Sequence, residues 1–309
     1  MTTAAAAALP LSVVAATTQP WPEVRPLLES LREQIAAVGG EIVLGDGSTE
    51  GMSDEIRARY PRLRLIHRPG ASVFQLRAAC VAASTGAIVA ITEDHCVAAP
   101  DWCERILAAH RDHPDAAAIG GAVANGATAT LIDWASFFLV NGASMPPVPT
   151  RVRRAIALQA NCSYKRAAVS CYERVARDAD ELGMMEWLLD EDLHARGAEL
   201  RSDGRILVEH VQSLGVAATC RIHYDDGRTI AAFRLARMGS LERAVRLAAC
   251  VAMPPLLTAR AAFHVLTKRR RVGLLLASLP WMLVLTSCKA WGNFHGFLFG
   301  AGSSPARIR

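Results

Sequence analysis

Along the first third of the chain, the hydrophobic positions switch between two spacings. Residues 11–16 are a short apolar run rich in β-branched side chains, which predicts a buried strand. Residues 22–38 then take a helical spacing, with Val24, Leu27, Leu28, Leu31 and Ile35 on one face, and Gly39-Gly40 stops the helix. The same reading predicts strands over 41–44, 63–66 and 88–92, and helices over 53–60 and 75–83. Strands alternating with helices at this spacing predict an α/β fold with a parallel sheet covered on both faces. Ligands of such sheets bind beyond the carboxyl ends of the strands.

Two of the predicted strands end in residues that folding alone does not require. One is followed by Glu93-Asp94-His95. Two carboxylates and an imidazole in succession are costly to bury without partners, and Mg²⁺ or Mn²⁺ would supply one. A solvated acidic turn is the plain alternative. The other strand runs into Gly45-Asp46-Gly47-Ser48-Thr49. By itself this is an ordinary strand-to-helix turn with Ser48 or Thr49 as helix cap. Beside the acidic cluster it becomes half of a nucleotide site.

Further along, residues 185–193 place Glu186, Asp190 and Leu193 near one helical face. A carboxylate at a helix start beside Trp187 suits work as a general base. Asp190, Glu191 and Asp192 read as a solvated acidic surface. Glu209-His210 closes another apolar run, where His210 could complete a metal shell.

Composition changes the picture in the last third. Residues 221–309 carry fourteen Lys/Arg against three acids, so the net charge of +5 conceals an acidic first part. Such a segment seeks an anionic surface, and the apolar runs between its charges favour lipid headgroups over nucleic acid. Residues 272–288 are 17 uncharged residues broken by Gly273 and Pro280, just under the roughly 20 needed to cross a bilayer. Lys268-Arg269-Arg270-Arg271 precedes them as a cytoplasmic flank would. Interfacial association is the expectation, with one span and a core-packing or homodimer helix as alternatives. The eight cysteines include no C-x-x-C pair and read as reduced side chains of a cytoplasmic protein. Residues 16–20 are not the glycine- and lysine-rich phosphate loop of a nucleotidyltransferase-type alternative.

Taken in order, these segments resemble the family 2 glycosyltransferases. Leu44 to Gly51 is similar to that family's VDDGSTDG turn, with Gly45 in place of the first Asp. Leu76-Arg77-Ala78-Ala79 is similar to its ARNxG helix start. Residues 91–96 and 100–104 resemble its FLDDDCxPxPxWLE metal motif, with His95 at the last metal-binding Asp. Residues 159–166 resemble GxNxxYRR through Asn161. Met185-Glu186-Trp187-Leu188-Leu189, with Leu193 and Gly197 in register, resembles EDWxLxxRLxxxG, and Glu186 falls on the catalytic base.

The resemblance implies a GT-A, Rossmann-like, mostly parallel sheet flanked by helices over residues 1–225. An apolar, basic helical appendage over 226–309 would hold it at the cytoplasmic face of the membrane. It implies inverting transfer of a sugar from a nucleotide-diphosphate donor to an acceptor hydroxyl, and a membrane location suits a lipid-linked acceptor. Donor-binding residues would be Thr17, Asp46, Gly47, Ser48, Arg77, Glu93, Asp94, Asn161 and Trp187. Asp94, His95 and His210 would hold Mg²⁺ or Mn²⁺. The competing reading is a nucleotide-sugar-binding relative in which Gly45, His95 and Met185 have removed turnover.

Overall fold

The computed structural model describes residues 9–153, 160–170, 183–184, 186–235 and 238–308. Gln159 and Met185, which entered the motif comparison, lie outside them. The chain divides into two compact units, the first of Met1–Ala122 with Val148–Glu209, the second of Val123–Pro147 with His210–Arg309.

The first unit opens with β1 (Leu11–Thr17), α1 (Trp21–Ala37), β2 (Glu41–Asp46), α2 (Asp54–Arg59), β3 (Leu63–His67), α3 (Val73–Ala83) and β4 (Ile88–Thr92). Each expected element is present within a few residues of its predicted ends. Two of the helix starts are set by caps. Ser53 Oγ accepts the Ile56 amide, so Ser53, and neither Ser48 nor Thr49, begins α2. A reciprocal pair between Ser72 and Gln75 starts α3 at Val73.

β5 (Cys96–Ala98), α4 (Trp102–Asp112), β6 (Ala116–Asn125), β7 (Arg151–Arg153), β8 (Asn161–Lys165), α6 (Arg166–Ser170), α7 (Glu186–Ala195) and β9 (Glu199–His210) follow, with α5 (Leu131–Asn141) intervening in the second unit. The strands join in one sheet of order β3-β2-β1-β4-β8-β6-β9-β5, with β7 paired to β9. β3, β2, β1 and β4 run parallel. β8 is antiparallel to both β4 and β6, so the parallel strands continue into a mixed sheet.

Side chains alternate along a strand, and both faces are buried. Val14, Val43, Val89 and Ile91 meet Cys80 and Val81 of α3 and Leu189 and Leu193 of α7 in one core. Val13, Ala15, Ile42 and Leu44 point the other way and are equally buried. Gly45 shares the face of Val43, and a β-carbon there would lie 2.8 Å from Leu76 Cβ and 3.0 Å from Cys80 Sγ. α3 thus rests directly on the end of β2. The departure from the family's Asp at this position has a packing reason.

In the second unit α5 precedes α8 (Val216–Leu235), α9 (Ser240–Ala249), α10 (Met253–Thr267) and α11 (Val272–Phe299). The expected boundary between residues 225 and 226 falls inside α8. α8 and α11 touch backbone to backbone: a β-carbon on Gly292 would lie 2.0 Å from Tyr224 O, and one on Gly227 2.2 Å from Lys289 O. Polar groups are paired along this seam. Arg307 and Ser304 close on the fully buried Asp225, and Lys289 Nζ lies 2.6 Å from Asp226.

Because α3 cannot retreat without uncovering its core, Gly45→Ala is expected to cost about 1–3 kcal/mol. A lowered urea midpoint at unchanged denaturant slope would be the sign of it.

Candidate functional site

The carboxyl ends of β2, β1 and β4 lie side by side, in that order, and carry the predicted chemistry. Thr17 and Asp46 are register partners at the ends of β1 and β2. The Gly47 amide donates to the Thr17 carbonyl at 2.9 Å, and the Ser48 amide to Asp46 Oδ1 at 2.8 Å. The turn is further held by His67 of β3, whose Nε2 lies 2.9 Å from the Ser48 carbonyl. A β-carbon on Gly47 would lie 2.8 Å from Ala71 O, so glycine is required for the loop to fold this tightly.

Beyond β4, His95 lies between two carboxylates. Its Nδ1 is 2.7 Å from Asp94 Oδ1, and its Nε2 is 3.2 Å from Glu93 Oε2. Burial disfavours the imidazolium, yet the bonds to Asp94 and Glu93 outweigh it and raise the pKa to about 10. The cluster therefore draws positive charge to itself. Asp94 is buried, and its Oδ2 has no hydrogen-bond partner. A hard cation with oxygen and imidazole ligands fits this donor set once it displaces the His95 proton. Glu93, Asp94 and His95 are a candidate metal site.

Arg77 and Glu186 form the other half. Arg77 is on α3, and Glu186 is the first residue of α7. The chain just before α7 is clasped to α3, with the Met184 amide donating to Phe74 O at 2.9 Å. Gly183 has φ 87, and a β-carbon there would lie 2.2 Å from Phe74 C. So aligned, Arg77 Nη1 is 2.9 Å from both Glu186 carboxylate oxygens, and both side chains are buried. Desolvation raises the Glu186 pKa, and the Arg77 charge opposes that rise. Arg77 also feels the charges of Glu93 and Asp94, and its Nε is buried without a hydrogen-bond partner.

A family model, Glycosyl transferase family 2, matches residues 12–173, more than half of the chain. The chain belongs to glycosyl transferase family 2. Its mixed, helix-flanked sheet is the GT-A arrangement, and its activity is glycosyl transfer from a nucleotide-sugar donor to an acceptor. Among solved structures, S. aureus TarS 1–349 is similar at TM-score 0.50 and 11% identity, covering 94% of this chain and 92% of that one. GalNAc-T7 with UDP, GalNAc and Mn²⁺ gives TM-score 0.48 and 15% identity over 67% of this chain and 44% of that one. No curated protein matches the sequence.

The remaining predicted site residues of this glycosyltransferase are placed differently. Asn161 begins β8, but its amide is fully committed: Nδ2 donates to Ala122 O and Ile206 O, and Oδ1 accepts from Trp102 Nε1. It ties three strands and α4 together rather than facing a ligand. Trp187 is half-buried in the first turn of α7. His210 ends β9 and is the first residue of the second unit.

One expectation is corrected. Asp190 does not lie on a solvated face: it is 3% exposed and accepts the Tyr164 hydroxyl at 2.9 Å. The helical face shared by Glu186, Asp190 and Leu193 was legible from spacing, and all three are buried. What the spacing did not give is that this face points inward, towards Tyr164 on β8.

Burial raises the Asp190 pKa well above that of an ordinary carboxyl, despite the opposing Tyr164 bond. The folded state therefore holds this proton more tightly than the unfolded chain does. Its contribution to stability is complete below the ordinary range near ~3.9 and is lost as pH rises through the folded value. Asp190→Asn is expected to flatten that part of the stability–pH curve in denaturant titrations. Arg77→Met is expected to cost about 3–5 kcal/mol by stranding the Glu186 charge, and Arg77→Met/Glu186→Leu to recover most of it in the same assay.

Proposed function

We propose that the chain is an inverting, divalent-cation-dependent glycosyltransferase with Glu186 as its general base. The observation that carries this reading is a pair of buried, unpartnered polar atoms, one just past β4 and one on α3. Asp94 Oδ2, an acceptor, and Arg77 Nε, a donor, are both buried and without hydrogen-bond partners. Native proteins rarely leave such groups unpaired, and a donor diphosphate with its cation would satisfy both.

Asp94 and His95 would hold Mg²⁺ or Mn²⁺, with Glu93 beside them. The ion would supply charge stabilisation for the departing nucleoside diphosphate. Thr17, Asp46, Gly47 and Ser48 line the edge where the nucleotide would lie, and Gly47 keeps that edge tight. Arg77 holds the Glu186 carboxylate and has a second donor to offer a phosphate oxygen. Withdrawal of Arg77 towards the diphosphate would free Glu186 when the donor is bound. Glu186, its pKa raised by burial, would then take the acceptor hydroxyl proton as that oxygen attacks the anomeric carbon. One displacement inverts the anomeric configuration, and no covalent glycosyl-enzyme forms. Asn161 serves this site indirectly by fixing β8 against its neighbours.

Glu186→Gln is the direct test. Transfer is expected to fall by about 10²–10⁴-fold, while calorimetry shows Mn²⁺-dependent nucleotide diphosphate binding near the wild-type level. The product anomer, read by NMR, should be opposite to that of the donor. Retained turnover in Glu186→Gln would remove the base assignment. Full activity in excess chelator would remove the metal and assign its charge to the His95 imidazolium. Absence of nucleotide binding would leave the chain a relative of the family without turnover.

A further inference from the structure

α9 is amphipathic, but its apolar face points outward. Leu241, Ala244, Val245 and Ala248 recur at the i, i+3, i+4, i+7 spacing of one helical face, and all four are exposed. Leu241 is 81% exposed and Val245 61%, and Val251, just past the helix, is 85% exposed. The inward side carries Arg243, whose Nη2 donates to Leu298 O at 3.1 Å. Arg246 is paired with Glu242. Towards the unit, α9 turns the partly buried Leu247 against Ala231, Cys250 and Phe297, and none of its residues is fully buried, so the larger apolar set is left outside.

The pattern continues in the helices that follow. On α10, Leu256 and Phe263 are more than 60% exposed. On α11, Leu276, Leu283 and Trp291 face outward, while Leu275, Met282 and Leu285 fill the unit's interior. Isolated exposed apolar residues are common, but outward-facing sets on three successive helices mark a contact surface.

Charge selects the occupant. From Arg243 to the end the sequence has ten Lys/Arg and no acid. At the turn between α10 and α11, Arg269 has φ 53 and Arg271 φ 59, the left-handed region where glycine would be the easier residue. Arginine stands there against backbone preference. A second copy of the chain would bring two such basic segments together, with the Glu242 of each already paired to its own Arg246. An anionic bilayer offers hydrocarbon for the apolar faces and phosphate for the arginines.

We propose that the outward faces of α9, α10 and α11 lie in the headgroup–acyl boundary of an anionic leaflet, as on the cytoplasmic side of a membrane, without crossing it. α11, at 28 residues, is long and apolar enough to cross. One of its faces, however, lies against α8, which carries Asp225, Asp226 and Arg228, and Lys289 of α11 pairs with Asp226. A crossing helix would draw these charges into hydrocarbon. α9 and α10 meet at 73°, which also disfavours one straight span made from both.

The test is flotation of the full chain with vesicles of phosphatidylcholine alone and of phosphatidylcholine with phosphatidylglycerol. The wild-type chain should float with the anionic vesicles, be released by high salt, and stay in solution with the neutral ones. Leu241→Ser/Val245→Ser should weaken anionic-vesicle binding at least about tenfold while nucleotide binding is unchanged. Arg269→Gly should also weaken it, yet melt no lower than wild type, because glycine relaxes the positive φ there; Arg271, whose guanidinium lies 5.4 Å from the Trp134 ring, is left in place. That result separates lost charge from lost fold. Equal binding to both vesicles, or no binding, overturns the proposal. So does self-association that the serine variant abolishes without any vesicle binding. Salt-resistant binding with α11 protected from protease makes it a span and overturns the in-plane placement.

Discussion

Arg77 and Glu186 are 109 residues apart in sequence, and each is buried against the other. An isolated ionised side chain in this position would cost several kcal/mol, so neither could be buried alone. The pair depends on α3 lying close on β2, which Gly45 permits, and on the start of α7 being clasped to the first turn of α3, which Gly183 permits. Three local choices, two glycines and a capping box, thus converge on one ion pair. The cost of desolvating it also raises the Glu186 pKa, which suits the base role proposed for it.

The strand-end carboxylates follow the same electrostatic logic with the opposite balance. Glu93 and Asp94 exceed the positive charge that the fold brings to them, and they draw a proton onto His95 instead. Asp94 still has an unpartnered oxygen. At the Arg77 pair the fold is nearly neutral; at Asp94 it is short of a cation. Under the proposed function, a cation that met this shortage would also be the one that a departing diphosphate needs.

The second unit follows a different constraint. Its helices approach closely where glycine removes the side chain, at Gly227 and Gly292, and this seam holds its ion pairs in place. With α11 held on that side, its other face and the apolar faces of α9 and α10 are left to the outside. The outward apolar surface is therefore a consequence of how well the seam is packed.

Spacing alone determined the succession of strands and helices, because buried strands and amphipathic helices carry distinct apolar periods. It also gave the strand-end position of Asp46, Gly47, Ser48 and Glu93 to His95, since turns and polar clusters punctuate those periods. The charge asymmetry was likewise a property of the sequence. Pairing across long separations was not. The antiparallel β8 inserted beside β4, the inward turn of Asp190 towards Tyr164, the internal commitment of Asn161 and the contact of Arg77 with Glu186 depend on which elements become neighbours. Residue type states what a side chain can bond; only the packed structure decides whether it is used up within the fold, as the Asn161 amide is by Ala122, Ile206 and Trp102, or keeps an unpartnered atom, as Asp94 does.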